Sequence, residues 1–170
     1  MREMLKKIWN FLRRPRIRYE PLVRVLVSRA ALRHNYQAYA GRFPEVAIAP
    51  VLKSNAYGHG LAEVASVLDE LRPPFFAVDS FFEALVLRRA LVKSPILIIG
   101  YTRLDIIRGK GLRDVAFTIA DLAALRELAA TLRQPRKIHL KIDTGMNRQG
   151  ILPGEIAQAL REISRNKNLI

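Results

Sequence analysis

Val51-Leu-Lys-Ser-Asn-Ala-Tyr-Gly-His-Gly60 sets one lysine at the end of an apolar run and follows it with a turn bounded by glycines. The run that leads into it, Val46-Ala-Ile-Ala-Pro-Val-Leu52, is short, apolar and partly β-branched, as expected of a strand buried on both faces. Ser54 to Gly60 cannot continue such a strand, so Lys53 falls where a buried strand opens into a loop. A lysine held there loses part of its hydration, which disfavours the ammonium and leaves an amine able to condense with a carbonyl. The same residues also describe a solvated lysine beside a loop, with Gly58 and Gly60 supplying positive φ before a helix.

Working outward, apolar runs of strand length alternate with longer segments of helical period, the rhythm of successive βα units on a parallel sheet. Residues 22–27 read as a first strand. Ser28 is a good N-cap for a helix over 29–41 whose Leu32, Tyr36 and Tyr39 share a face. Strands are then expected at 46–52, 75–78, 96–99, 115–118 (short and weak) and 137–142. The intervening helices are expected at 61–71, 80–91 and 121–132, with Ser80 and Glu83 forming a capping box and Asp121 a cap. Pro153 suits the first turn of a last helix to about residue 165, after which Asn168-Leu-Ile170 has the composition of an approach to a sixth strand. The fold class is α/β: a partial (β/α)8 barrel of the TIM type, comprising about the first five βα units.

The composition bounds the function. With 170 residues, half of them hydrophobic, the chain has apolar material for one ordinary domain. A complete (β/α)8 barrel needs roughly 250 residues. The chain is therefore expected to be truncated before barrel closure, with unpaired edges prone to aggregation. Zero cysteines exclude a disulfide framework, and His34, His59 and His139 lie too far apart for metal-ligand spacing, so no metal is implied. No apolar run is long enough to span a bilayer and no secretory signal is present, which makes a cytoplasmic location the expectation. The net charge of +14 is concentrated at the front, where residues 1–18 carry seven basic side chains against Glu3. Leu5, Ile8, Trp9 and Leu12 recur there at helical spacing, so a basic amphipathic helix touching a membrane surface competes with a solvated extension over 1–21. No motif for specific nucleic-acid recognition accompanies the charge.

Two long stretches carry a family resemblance. Val51 to Gly60 resembles the pyridoxal-phosphate lysine motif of alanine racemases, and His139-Leu-Lys-Ile-Asp-Thr-Gly-Met-Asn-Arg-Gln-Gly150 resembles the second signature of that family. Between them, Phe76-Ala-Val-Asp-Ser-Phe-Phe-Glu-Ala-Leu-Val-Leu-Arg88 and Ile96-Leu-Ile-Ile-Gly100 resemble the second and third barrel strands with the helix between them. Ser28 to Asn35 resembles the helix start before the first barrel strand. Residues 22–170 would then be the N-terminal part of the barrel, with the 22–27 strand pairing outside it with a later β domain.

The resemblance implies pyridoxal 5'-phosphate as cofactor, Lys53 as its Schiff-base lysine and as the base on one face of the α-carbon, and Tyr57 as a contact to the cofactor phosphate. It further implies Arg148 beside the cofactor's phenolic oxygen and the substrate carboxylate, for which a guanidinium fork is suited. Lys141 matches a position that some relatives carbamylate; an inward lysine paired with Asp143 would leave the same trace. The implied reaction is interconversion of L- and D-alanine for peptidoglycan, in a homodimer whose partner supplies a tyrosine on the opposite face. A fragment lacking that tyrosine and the later phosphate loops is expected to be inactive alone. A non-catalytic pyridoxal-phosphate barrel and a serine or broad-specificity racemase are the alternatives. A basic binding protein working through residues 1–18 is a third.

Overall fold

The computed structural model describes residues 22–170. The expected helix at 1–18 and the extension to residue 21 lie outside the described residues. The elements run α1 (Arg29–Arg42), α2 (Leu61–Asp69), β1 (Phe76–Val78), α3 (Phe81–Arg89), β2 (Ile96–Ile98), α4 (Leu104–Arg108), β3 (Val115–Ile119), α5 (Leu122–Thr131), β4 (Lys137–Leu140), a 3-10 turn at Pro153–Glu155 and α6 (Ile156–Ser164). The four strands form one parallel sheet in the order β1-β2-β3-β4.

Short segments extend the sheet on both sides. Residues 50–52 run parallel to β1: Val51 pairs with Ala77, and the Leu52 N–H donates to Ala77 O at 2.8 Å. The strand expected over 46–52 is thus reduced to its last residues, because Pro50 has no N–H to offer a ladder. On the far side, Leu169 pairs with Arg136, the Ile138 N–H donates to Ile170 O, and Arg136 and Asn168 are bonded at 2.8 Å. Residues 168–170 therefore pair with β4 rather than merely approach it. The expected weak fourth strand, β3, is instead the longest, since Val115, Phe117 and Ile119 all bury against helices. Residues 22–27 form no strand, and Leu22 and Leu26 are exposed. Helix α4 has no counterpart in the sequence reading, since five residues are too few to show a period.

Side-chain alternation explains the layers. Phe76, Val78, Ile96, Ile98, Val115, Phe117 and Ile119 point to the helices and are almost completely buried. They pack with Val64 and Leu68 of α2, Ala84 and Leu87 of α3, Ile107 of α4, and Leu125 and Leu128 of α5. The intervening residues Val51, Ala77, Leu97, Ala116 and His139 form the other face. That face is concave. Side chains three strands apart on a flat sheet stand about 14 Å from one another, yet the rings of Phe75 and His139 meet edge to face at 6.2 Å. The sheet therefore curls as a barrel wall does.

Helix α1 lies at the periphery. Ser28 caps it as expected, accepting from the Ala31 N–H at 3.2 Å. Leu32 and Tyr36 pack on the core, and the Tyr36 hydroxyl donates to Ile48 O, but Tyr39 is exposed because only the first part of the helix meets α2. Polar clamps close the amino-terminal end of the sheet. Arg88 donates to the carbonyls of Val92, Ser94, Arg113 and Asp114, joining the loops that enter β2 and β3. Asp69 accepts from the Lys93 N–H, the Ser94 N–H and the Ser94 hydroxyl at 2.6–2.9 Å.

Burial pushes the Asp69 carboxyl up. Its three hydrogen bonds from Ser94 and Lys93, with the Arg88 charge, outweigh this and hold it below the ordinary carboxylate value. A carboxylate so lowered stabilises the fold above its unfolded value, about 3.9, and that contribution is lost as pH falls through the folded value. Asp69→Ala should cost about 1–3 kcal/mol at neutral pH, the range for leaving buried donors unpaired. Urea unfolding of both proteins checks this, and the difference between them should shrink below about pH 4.

Candidate active site

Lys53 follows directly on the 50–52 segment and is half-buried. The extended backbone ends at Leu52, whose ψ is 12°, so Lys53 opens the turn that follows the Val51–Ala77 pair. It thus sits at the carboxyl ends of the strands, the end at which barrel enzymes keep their working groups.

The backbone after Lys53 departs from expectation. Positive φ begins at Ser54 (54°) and continues through Asn55, Ala56 and Tyr57 before reaching Gly58 (87°), forming a left-handed turn in which none of the first four residues is glycine. L-residues in this region are strained by about 1–2 kcal/mol each, and such strain persists only where surroundings over-determine it. Ala56 is buried, its N–H donates to Leu52 O at 2.8 Å, and Asn55 Oδ1 accepts from the Leu61 N–H at the start of α2. His59 Nδ1 lies 2.8 Å from Ala56 O. Asn55 is the sole residue of the four with a known tolerance for this conformation, so the sequence carried little warning. Tyr57 is exposed at the end of the turn.

The second signature forms a closed loop after β4. Ile142 and Ile151 pair in parallel, with the Asp143 N–H donating to Ile151 O at 3.0 Å and the Ile151 N–H to Lys141 O at 2.8 Å. Asp143 turns its carboxylate inward to accept from the Gly145 and Asn147 N–H groups, each at 3.0 Å. These backbone bonds hold its carboxyl below the ordinary value. Asp143 makes no ion pair with Lys141 among the described residues, so the alternative of an Asp143-paired lysine is not realised. Lys141 shares the inward parity of His139 and is half-buried, and Arg148 is exposed on the loop. The two signatures are brought to the same rim from opposite sides of the curled sheet. Lys53 and Tyr57 share one turn, Lys141 and Arg148 share one loop, and Lys53 and Arg148 make no hydrogen bond with each other.

A cleft of about 320 Å³ opens at the carboxyl ends of β2 and β3, lined by residues that include Ile99, Gly100, Thr118, Leu104, Gln149 and Gly150; Lys53, Tyr57, Lys141 and Arg148 do not line it. Gly100 and Gly150 are both steric necessities. A Cβ on Gly100 would lie 2.3 Å from Asp79 O; one on Gly150, whose φ is 146°, would lie 2.4 Å from Asp143 N.

These features can be set beside known proteins. The sequence pattern of the family described as alanine racemase, N-terminal domain, matches residues 27–170. The chain belongs to the alanine racemase family. It is 36% identical over 151 residues to the alanine racemase of Citrifermentans bemidjiense, covering 85% of this chain and 40% of that one. The solved alanine racemase of E. faecalis superposes with a TM-score of 0.75 at 32% identity, over 85% of this chain and 40% of the other. Histidine racemase from Leuconostoc mesenteroides gives 0.70 at 28% identity, over 89% and 43%. The chain thus spans about two fifths of the length of these relatives, and its curled sheet is the racemase barrel wall.

Gly150→Ala combines a strained φ with a backbone clash. It should open the 143–150 loop and accelerate amide exchange at Gly145 and Asn147, while exchange at Phe117 in β3 stays at the wild-type rate. Hydrogen exchange read residue by residue checks this.

Proposed function

We propose that this chain supplies the cofactor-bearing barrel portion of a pyridoxal-phosphate-dependent amino-acid racemase, with alanine as substrate. One observation supports the reading above the rest: the lysine of the first signature is half-buried directly after the 50–52 segment, and the second signature follows the parallel strand β4 at the same end of the sheet. The residues fit a planar aldehyde cofactor. The amine of Lys53, half-buried where the strand segment ends, would hold it covalently. The exposed Tyr57 hydroxyl would bind its phosphate. When bound, this cofactor acts as an electron sink for the carbanion left at the α-carbon.

The chain's own groups would do the rest. Lys53 Nζ would take up or deliver the α-proton on one face, and inversion would need a donor on the opposite face, the tyrosine that the resemblance assigns to the partner subunit. The Arg148 guanidinium would clamp the substrate carboxylate through paired N–H donors, its loop braced by Asp143. Lys141, on the same strand extension, would set the direction of Arg148, with carbamylation as one means. The proposed division is residues 22–170 as the barrel portion and 1–21 as a basic extension able to touch anionic membrane surfaces weakly. The whole racemase is proposed to be a cytoplasmic homodimer making D-alanine for the cell wall. No described helix is long and apolar enough to cross a membrane.

Adding pyridoxal phosphate should produce a visible absorption band, and borohydride reduction should leave a permanent mass increase at Lys53. Both should vanish in Lys53→Ala, and a band that persists there would overturn the assignment. The 170-residue chain alone is expected to exchange the α-proton of alanine far more slowly than a full-length relative, as followed by loss of deuterium from labelled substrate.

A further inference from the structure

The left-handed turn at 54–57 is held from outside as well as from within. Its internal bonds, from Ala56 N–H to Leu52 O and from Leu61 N–H to Asn55 Oδ1, lie within the segment that has to be positioned. Glu83 reaches it from α3. One carboxylate oxygen accepts from the Asn55 N–H at 3.3 Å, and the other accepts from the Asp79 N–H at 2.8 Å.

The sequence reading gave Glu83 a different task. At the third position of a helix capped by Ser80, a glutamate is expected to fold back onto the N–H of the cap itself. Half of that motif is present, with the Ser80 hydroxyl accepting from the Glu83 N–H at 3.3 Å. The carboxylate, however, passes over Ser80 to Asp79 and crosses to the turn. Asp79 directly follows β1, the strand to which Val51 and Leu52 are bonded. A single side chain therefore ties the end of β1 to the turn that begins one residue after Lys53. Leu52, 4% exposed, anchors the backbone just before the lysine, and the Glu83 bond anchors it two residues after.

We propose that Glu83 is a positioning residue that fixes the direction of the Lys53 amine by holding the strained turn against β1. The role rests on the reading of Lys53 as the cofactor-bearing amine. Bonds from a carboxylate to backbone N–H groups are charge-assisted, stronger than those an amide or a water would offer in its place. Without them the turn loses its side-chain tie to α3 and to the end of β1, and the energetic preference of Ser54, Ala56 and Tyr57 for the right-handed region is less opposed there.

The test compares wild type, E83A and E83Q without cofactor, by hydrogen exchange at Asn55 and by competitive labelling of lysine amines read by mass spectrometry, with Lys93 and Lys167 as internal references. E83A should speed exchange at Asn55 by roughly tenfold, shift the labelling of Lys53 relative to the references, and weaken the absorption band formed with pyridoxal phosphate. E83Q, which keeps an acceptor oxygen, should recover part of each effect. A folded E83A, with Phe117 exchange unchanged and with Asn55 exchange and Lys53 labelling like wild type, overturns the proposal. If E83A does not fold, E83D, one methylene too short to reach both N–H groups, is judged by the same two readouts. Should wild type give no absorption band while exchange and labelling respond as expected, the cofactor reading fails and the hold on the turn stands.

Discussion

Everything in this chain is hung on the contact between one face of a parallel sheet and the helices that cover it. Phe76, Val78, Ile96, Ile98, Phe117 and Ile119 meet Leu68, Leu87, Ile107, Leu125 and Leu128 in a layer from which solvent is nearly excluded. That layer needs no closed barrel, because its two walls are both present. At about 25 cal/mol per Å² of apolar surface removed from water, such side chains contribute on the order of 2 kcal/mol each. Arg88 and Asp69 then spend their polar groups on loop carbonyls and N–H groups, which fixes where each strand begins.

The concave face is free of that structural duty, and the chemistry collects there. Residues facing the helices are branched or aromatic, while the other parity mixes Val51 and Leu97 with small or polar residues: Ala77, Ala116, Thr118, His139 and Lys141. Lys53 comes at the end of the segment that pairs with β1 through Val51. The turn after it adds strain where the lysine has to be aimed, and the Asp143-braced loop adds a second rigid support at the other side of the same rim. Rigid supports of this kind reduce the ordering that binding would otherwise require.

Much of this could be read in advance, for physical reasons that can be named. Ser28, Ser80 and Asp121 cap their helices as their side chains dictate, and the short apolar runs at 76–78, 96–98 and 115–119 became strands of a parallel sheet buried on both parities. The signature motifs placed Lys53 and Arg148 on one rim because both follow strands in the same sheet. What escaped the reading depends on partners distant in sequence. Glu83 looked like half of a capping box until Asn55 came within reach of it, and Arg88 looked like one basic residue among many until four carbonyls surrounded it. Strand 46–52 shrank and 22–27 failed because pairing, and not composition, makes a strand.

The direction shared by all four strands has a practical corollary. Lys110 and Gln134 are exposed in loops that enter β3 and β4, at the end of the sheet away from the two signature segments. Those loops are therefore suitable handles: a dye, a surface tether or a fused tag attached there stays clear of Lys53 and of the 143–150 loop.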